Sequence, residues 1–300
     1  MSDQSTDTVP DLEVLKIDSW TGEISPADRE RAVSALEGGQ VVYLPRLPFA
    51  LEPEEREFLR PESSDGKAKN ISYDPSTGTG RGGSYDEATT RRLNAMLARY
   101  AAMSERLVKA LCVDYAENLR IGRTSYRPAQ VRDRASSYRK DDKRLHVDAF
   151  PSSPMGGRRI LRVFSNVNPE GLARVWHVGE PFEAYARRFL PQVGRQWPGT
   201  AWAMQMLRIT KGRRTPYDHI MLQLHDLGKA DEAYQKGGPQ AEIRFPPGTT
   251  WMTYTDSTLH AALIGQYAFE QTFYLDPEAM RHPELSPLRV LERLTGHALV

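Results

Sequence analysis

The sequence predicts an α+β protein in which helices flank a core of short antiparallel strands built as a sandwich or jelly roll. Three observations point there. Helical spacing is concentrated in a long stretch around residue 100 and near the two ends. After that stretch the chain becomes a series of short strand-like runs joined by Gly/Pro turns. No P-loop and no regular strand–helix alternation is present, which argues against the nucleotide-binding folds. With 300 residues, 39% hydrophobic and 26% charged, the composition is that of an ordinary globular protein. No apolar run approaches the roughly 18 residues of a membrane span, so transmembrane and fibrous classes are excluded. The length suits one enlarged domain over 1–300, with a mainly helical elaboration over 1–115, the jelly-roll core over 116–278 and a C-terminal helix over 279–300.

Taken in order, the acidic, polar opening Met1-Ser-Asp-Gln-Ser-Thr-Asp lacks the basic start and apolar stretch of a secretory signal, and predicts a cytoplasmic protein. Ser25-Pro26-Ala27-Asp28, followed by Ala32, Val33, Leu36 and Gly38-Gly39, is a capped helix. Residues 41–45 form a short buried strand. The polar, glycine-rich stretch 63–90 is too long for a simple connection and is expected to be a disordered loop or a lid. Leu93, Met96, Leu97, Tyr100, Met103, Leu107 and Leu111 then recur at spacings of three and four, an amphipathic helix over 87–112. The single cysteine, Cys112, closes that apolar stretch as a buried structural thiol. Strands are expected at 119–126, 159–167, 220–224, 242–245, 251–255 and 266–275. The last helix, 287–294, carries Leu288, Val290, Leu291 and Leu294, a face suited to pairing between subunits in a homo-oligomer.

The chemistry begins at Leu145-His146-Val147-Asp148-Ala149-Phe150. Side chains two apart on a strand point to the same side, so His146 and Asp148 can converge on one metal ion. His260, delivered by the turn, strand and loop over 245–260, is the best-placed third ligand; His219 and His225 are rivals. Two histidines and a carboxylate on one face leave three open positions on Fe(II), enough for a bidentate co-substrate and dioxygen. A zinc hydrolase would use similar ligands, but no H-E-x-x-H supplies its base.

His146-Val147-Asp148, the run Arg159-Ile160-Leu161-Arg162-Val163-Phe164-Ser165-Asn166-Val167-Asn168-Pro169, and the stretch from Trp251 through Leu259-His260-Ala261-Ala262-Leu263-Ile264-Gly265 resemble the Fe(II)/2-oxoglutarate dioxygenases. More narrowly they resemble the Kdo hydroxylases, which oxidise C3 of a 3-deoxy-octulosonate on lipopolysaccharide. The narrow likeness covers nearly the whole chain and includes Tyr254-Thr255-Asp256-Ser257 and Glu270-Gln271-Thr272-Phe273-Tyr274-Leu275. The resemblance implies a double-stranded β-helix (jelly-roll, cupin-like) core, iron held by His146, Asp148 and His260, 2-oxoglutarate and O2 as co-substrates, and ascorbate as support in vitro. It also implies Kdo-lipid A or a related anionic glycolipid as the substrate, met through transient contact with an anionic membrane at the cytosolic face of the inner membrane. One departure stands out. Many such enzymes carry an Arg or Lys shortly after the distal histidine to hold the co-substrate's far carboxylate, where this chain has Glu270, Gln271 and Thr272. Arg162 is the first choice to replace it, since a guanidinium takes a carboxylate through two parallel hydrogen bonds; a structural ion pair is its other reading. Arg159, on the opposite strand face, is the reserve. Retention of Asp148 favours hydroxylation over halogenation, which needs that position vacant for halide.

The charge is uneven although 40 basic and 39 acidic residues nearly cancel. Residues 120–144 hold nine basic side chains against three acids, among them Arg120, Arg127 and Arg144. Such a band before the metal motif would draw in an anionic substrate; Arg127, at the end of a strand, is the expected contact, with Arg120 and Arg144 beside it. Aromatic interleaving and a nucleic-acid-binding fold signature are both lacking, so no nucleic-acid partner is expected. Two other functions fit the same residues: a 2-oxoglutarate oxygenase for another anionic metabolite or a protein side chain, and a non-catalytic barrel that binds an anionic saccharide.

Overall fold

Two β-sheets face each other across the barrel interior, and each carries helices on its outer side. The computed structural model describes residues 12–66, 70–130, 137–197 and 199–300. Its strands are β1 (Glu13–Val14), β2 (Val42–Leu44), β3 (Ile71–Asp74), β4 (Thr79–Arg81), β5 (Arg120–Arg127), β6 (Arg159–Asn166), β7 (Arg174–Gly179), β8 (Gln240–Phe245), β9 (Thr249–Tyr254), β10 (His260–Ile264) and β11 (Ala268–Leu275). Its α-helices are α1 (Pro26–Glu37), α2 (Glu87–Leu111), α3 (Phe182–Phe189), α4 (Thr200–Met206), α5 (Pro216–Ala230), α6 (Glu232–Gly237) and α7 (Pro287–Thr295). The large sheet has the order β1-β2-β9-β6-β11-β5-β3-β4, and the small one β10-β7-β8. Pairing is antiparallel except between β1 and β2. This is the jelly-roll core with flanking helices that the sequence predicts.

Strand alternation decides what each face meets. On β6, Leu161 and Val163 turn outward with Phe269 and Phe273 of β11 and pack on the Leu93, Met96, Leu97, Tyr100 and Leu107 stripe of α2. Tyr100 Oη donates to the Val163 carbonyl at 3.1 Å, so the helix is pinned to the sheet as well as packed on it. Arg162 and Phe164 therefore point the other way, into the barrel. There Phe164, Trp176, Phe245 and Trp251 join the two sheets; the Phe245 and Trp251 rings stack with centroids 4.1 Å apart. The outer side of the small sheet is covered by α3, α5 and α7, which bury Leu259 and Ala261 together with Leu145 and Val147. The expected cap on α1 is in place, with Ser25 accepting from the Asp28 N–H; on α2, Asp86 accepts from the Thr89 N–H.

Three expectations need correction. Residues 220–224 are not a strand but part of α5, whose start is fixed by a Thr215/Asp218 capping box with Pro216 in the first turn. The glycine-rich stretch 63–90 includes the hairpin of β3 and β4, which extends the large sheet beside β5, and the first residues of α2. The apolar side of α7 is not a free surface, because Leu288, Val290 and Leu291 are buried within the fold. The N-terminal segment used to predict location, and Arg132 and Arg134 of the basic band, lie outside the described residues.

Candidate metal centre and its cavity

Leu145 and Val147 are drawn into the apolar cluster under α3, α5 and α7, so the residues alternating with them, His146 and Asp148, turn toward the barrel interior. The expected strand at this point is only a single bridge. His146 N–H donates to the His260 carbonyl at 3.1 Å, and His260 N–H donates back to His146 at 3.0 Å. This reciprocal pairing sets two histidines 114 positions apart side by side, with ring centroids 4.6 Å apart. Asp148 is held by its own N–H, which donates to the Thr255 carbonyl at 2.8 Å. One ligand atom from each of His146, Asp148 and His260 lies within 4.8 Å of the others.

Both imidazoles are oriented from behind. His146 Nδ1 is 2.7 Å from the Arg144 carbonyl and His260 Nδ1 is 2.9 Å from the Thr258 carbonyl. A carbonyl only accepts, so each Nδ1 carries the proton and each Nε2 presents its lone pair to the centre. Burial pushes both histidines below the ordinary imidazole range, His146 further because the His260 ring adds to the effect. For Asp148 burial works in the opposite sense, but the Arg162 guanidinium, with Nη2 2.8 Å from Oδ2, prevails and keeps the carboxyl below its usual range. That contact is an ion pair without hydrogen-bond geometry, since Oδ2 has no hydrogen-bond partner. Two neutral imidazoles and one ionised carboxylate thus converge on a point that opens to a cavity, a donor set fitted to Fe(II). The Trp176 ring lies over His260 at 5.2 Å and 28°. Of the rival ligands, His219 bonds the Gly194 carbonyl from α5, and His225, whose ring is 5.4 Å from His146, engages Asp226 through Nδ1.

The cavity at the triad, about 40 Å³, also meets Arg127, Asp142, Arg162, Phe164, Arg174, Trp176, Ala262 and Glu270. Three arginines balance three carboxylates on its walls. A divalent metal would upset that balance and a dicarboxylate would restore it. Arg162 reaches the cavity, with Nη1 donating to Glu270 at 2.7 Å while Nη2 faces Asp148. Arg127 borders it too, paired with Glu270 at 2.6 Å and Asp142 at 3.4 Å. Burial would lower both guanidinium pKa values, but the neighbouring carboxylates raise them.

The other expected contacts lie elsewhere. Arg159 is on the opposite face of β6, fully buried, donating to Asp256 at 2.8 Å and Ser257 at 2.8 Å over the Tyr254 ring. Arg120 pairs with Asp276 at the far end of β5, about 23 Å along the strand from Arg127. Arg144 spends its side chain on Glu232 and the Lys229 carbonyl; its contribution to the centre is the carbonyl that orients His146. With Arg123 on Asp74 and Arg139 on Asp226, most of the described basic band is ion-paired.

The sequence reading missed β7, which supplies Arg174 and Trp176. The signal was there: Asn168-Pro169-Glu170-Gly171 is a turn, and Val175, Trp176 and Val178 give a short β-branched and aromatic run after it. Gly265 is part of the same arrangement, with φ +143° and a missing Cβ that would sit 2.8 Å from Arg174 Cγ. A second cavity of about 450 Å³ shares Arg162 and Glu270 with the first and adds Arg123, Phe150, Lys211 and Tyr274.

A jelly-roll barrel that turns two histidines and an aspartate onto one point beside such a cavity has the architecture of a non-haem Fe(II) oxygenase of the 2-oxoglutarate type. A family model described as 3-deoxy-D-manno-oct-2-ulosonic acid (Kdo) hydroxylase matches residues 19–298. The chain belongs to the Kdo hydroxylase family. It is similar to solved structures of the Kdo hydroxylase KdoO, a non-haem Fe(II) α-ketoglutarate dependent dioxygenase. For the complex with α-ketoglutarate and Fe(III) the identity is 46%, covering 96% of this chain and 97% of that one, with a TM-score of 0.93. For the cobalt(II) complex it is 47% over the same shares, with a TM-score of 0.94. The complex with succinate and Fe(III) matches at 46% over the same shares, with a TM-score of 0.93. No match is found among the curated proteins.

Proposed function

We propose that this chain hydroxylates C3 of the Kdo sugar of Kdo-lipid A, converting 2-oxoglutarate and O2 to succinate and CO2 as the second oxygen atom enters the product. The observation that carries the reading is the triad itself: His146 and His260 with Nδ1 pinned and Nε2 turned inward, and Asp148 kept ionised by Arg162. These three residues would hold Fe(II), which supplies the activation of O2 when bound. The protein's own work is positioning. Arg162, the first choice from sequence for the far carboxylate of 2-oxoglutarate, is clamped between Asp148 and Glu270 and in this reading fixes the carboxylate ligand instead, while Arg174, which lines the same cavity from the facing sheet, would take that far carboxylate through a bidentate contact. Phe164, Trp176 and Trp251 close the apolar side of the barrel against water.

The 450 Å³ cavity is the acceptor site in this reading, meeting the metal cavity at Arg162 and Glu270, with Arg123 and Lys211 on the wall facing an anionic sugar and Arg127 paired to Glu270 on the metal-cavity side. Retention of the carboxylate ligand supports hydroxylation. No helix among the described residues is long and apolar enough to cross a membrane; the lipid acceptor is met through transient contact with an anionic membrane surface. The test is turnover of the purified protein with Fe(II), ascorbate and 2-oxoglutarate, following succinate and the gain of one oxygen atom on Kdo-lipid A, beside His146→Ala. Coupled products that vanish in the variant support the proposal. Succinate without an oxidised sugar removes the lipid substrate, and neither product from folded, iron-loaded protein removes the enzyme.

A further inference from the structure

We propose that residues 195–214 are an interfacial docking segment that seats the protein on an anionic lipid surface. Large apolar side chains are exposed here as nowhere else among the described residues. Trp197 is 78% and Leu207 71% exposed, and Trp202, Met206 and Ile209 are each more than half exposed. They amount to five of the ten large exposed apolar side chains, within thirteen positions. Around them stand Arg195, Arg208, Lys211, Arg213 and Arg214, and no Asp or Glu occurs from Pro191 through Tyr217. Indole rings and aliphatic side chains collared by cations are the chemistry of attachment to the boundary between acyl chains and anionic headgroups. A second copy of the same surface fits less well, because five cations on each side would repel.

The segment is also tied to the site. Lys211 N–H donates to the Ser152 carbonyl at 2.9 Å and Arg214 Nη2 to the Pro151 carbonyl at 2.7 Å, in the loop that follows Asp148. Phe150, Ser153 and Lys211 line the 450 Å³ cavity together. A lipid surface bound by this segment would therefore lie next to that cavity. That the docking serves catalysis rests on the lipid-linked acceptor proposed above; that it binds anionic lipid does not.

The test is co-sedimentation of the full chain with vesicles of phosphatidylcholine, with and without phosphatidylglycerol, for the wild type, Trp202→Glu/Leu207→Glu and Arg208→Glu/Arg213→Glu. Binding should need phosphatidylglycerol and weaken with salt. Each double variant should lose about tenfold or more in affinity, the scale of withdrawing one aliphatic side chain or two cations from the interface, with an unchanged melting temperature. No binding by the wild type, equal binding to both vesicles, or variants that bind as the wild type does would overturn the proposal. So would a concentration-dependent dimer abolished by Trp202→Glu/Leu207→Glu, which would give the surface to a second copy. With acceptors, the apolar variant should oxidise a deacylated Kdo sugar at the wild-type rate and vesicle-embedded Kdo-lipid A more slowly. Vesicle binding without oxidation of any Kdo acceptor would leave the docking standing and remove the proposed substrate.

Discussion

Replacing Arg159 with methionine separates two arginines that sequence alone offers as rival anchors for the co-substrate. Arg159 Nε lies 2.8 Å from Asp256 Oδ2, its Nη2 donates to Ser257, and its guanidinium lies 3.8 Å from the centre of the Tyr254 ring. Neither side chain of the ion pair is more than 1% exposed. The substitution keeps the aliphatic packing but strands the Asp256 carboxylate without its cation. Breaking a buried pair in this way costs about 3–5 kcal/mol. At about 2 °C per kcal/mol for a chain of this size, the melting temperature should fall by about 6–10 °C. Arg159→Met/Asp256→Asn should recover most of the loss, because the stranded charge is gone. Thermal unfolding by circular dichroism gives the first number, and 2-oxoglutarate titration of succinate release gives the second readout. Half-saturation should stay within about a factor of two of wild type, since a residue remote from the cavity offers the co-substrate no binding energy. An Arg159→Met protein that melts like the wild type but needs far more 2-oxoglutarate would refute the assignment of Arg159 as a structural strut.

Other outcomes follow from the same geometry. Chelation should stop turnover and Fe(II) should restore it, whereas His146→Ala should stay inactive with unchanged far-ultraviolet dichroism, because the bridge to His260 uses backbone groups alone. Gly265→Ala should push Arg174 aside and raise half-saturation by 2-oxoglutarate roughly tenfold, about the worth of one charge-assisted hydrogen bond, read by succinate release. Burial opposes ionisation of Glu270, but Arg162 and Arg127 prevail and hold its carboxyl below the usual range. Its contribution to stability is therefore present above the unfolded-state pKa of about 4.3 and is lost as pH falls through the lower folded value. Melting temperature should accordingly depend less on acid pH in Glu270→Gln than in the wild type. Burial raises the Cys112 thiol, so it should resist a thiol reagent at neutral pH until denaturant is added.

The metal centre was legible because its signal is local at one end and positional at the other. His146 and Asp148 flank a buried valine, so alternation alone puts them on one side, and the strand pattern near 251–260 carries His260 to the same interior. The long helix was legible for a similar reason: one apolar stripe, repeated over seven turns, leaves little choice of partner. The stretch 220–224 misled because five residues, four of them apolar, are too few to show a period of their own; the Thr215-Pro216 start of α5 held the deciding information. Arg159 and Arg162 could be assigned to opposite faces, yet which face met the cavity depended on α2 covering one of them. The charge of the 120–144 band was misleading in another way. Its partners, Asp74, Asp226, Glu232, Glu270 and Asp276, come from distant parts of the chain, and only the fold brings them together.

The position of β11 has a consequence for how the molecule is made. The last strand in sequence lies in the middle of the large sheet, between β6 and β5, and β9 likewise fills the place between β2 and β6. A growing chain that has not reached Ala268 therefore holds β5 and β6 with their facing edges bare, and such edges invite pairing with other chains. Until His260 has been synthesised there is also no third ligand. Synthesis from the N-terminus thus makes α1 and α2 before β5 and β6, leaves the two halves of the large sheet separate until its last strands close them, and adds α7 only afterwards. Iron loading becomes a step that follows chain completion, and a ribosome that stalls before residue 260 releases a protein that can neither close its sheet nor complete its metal site.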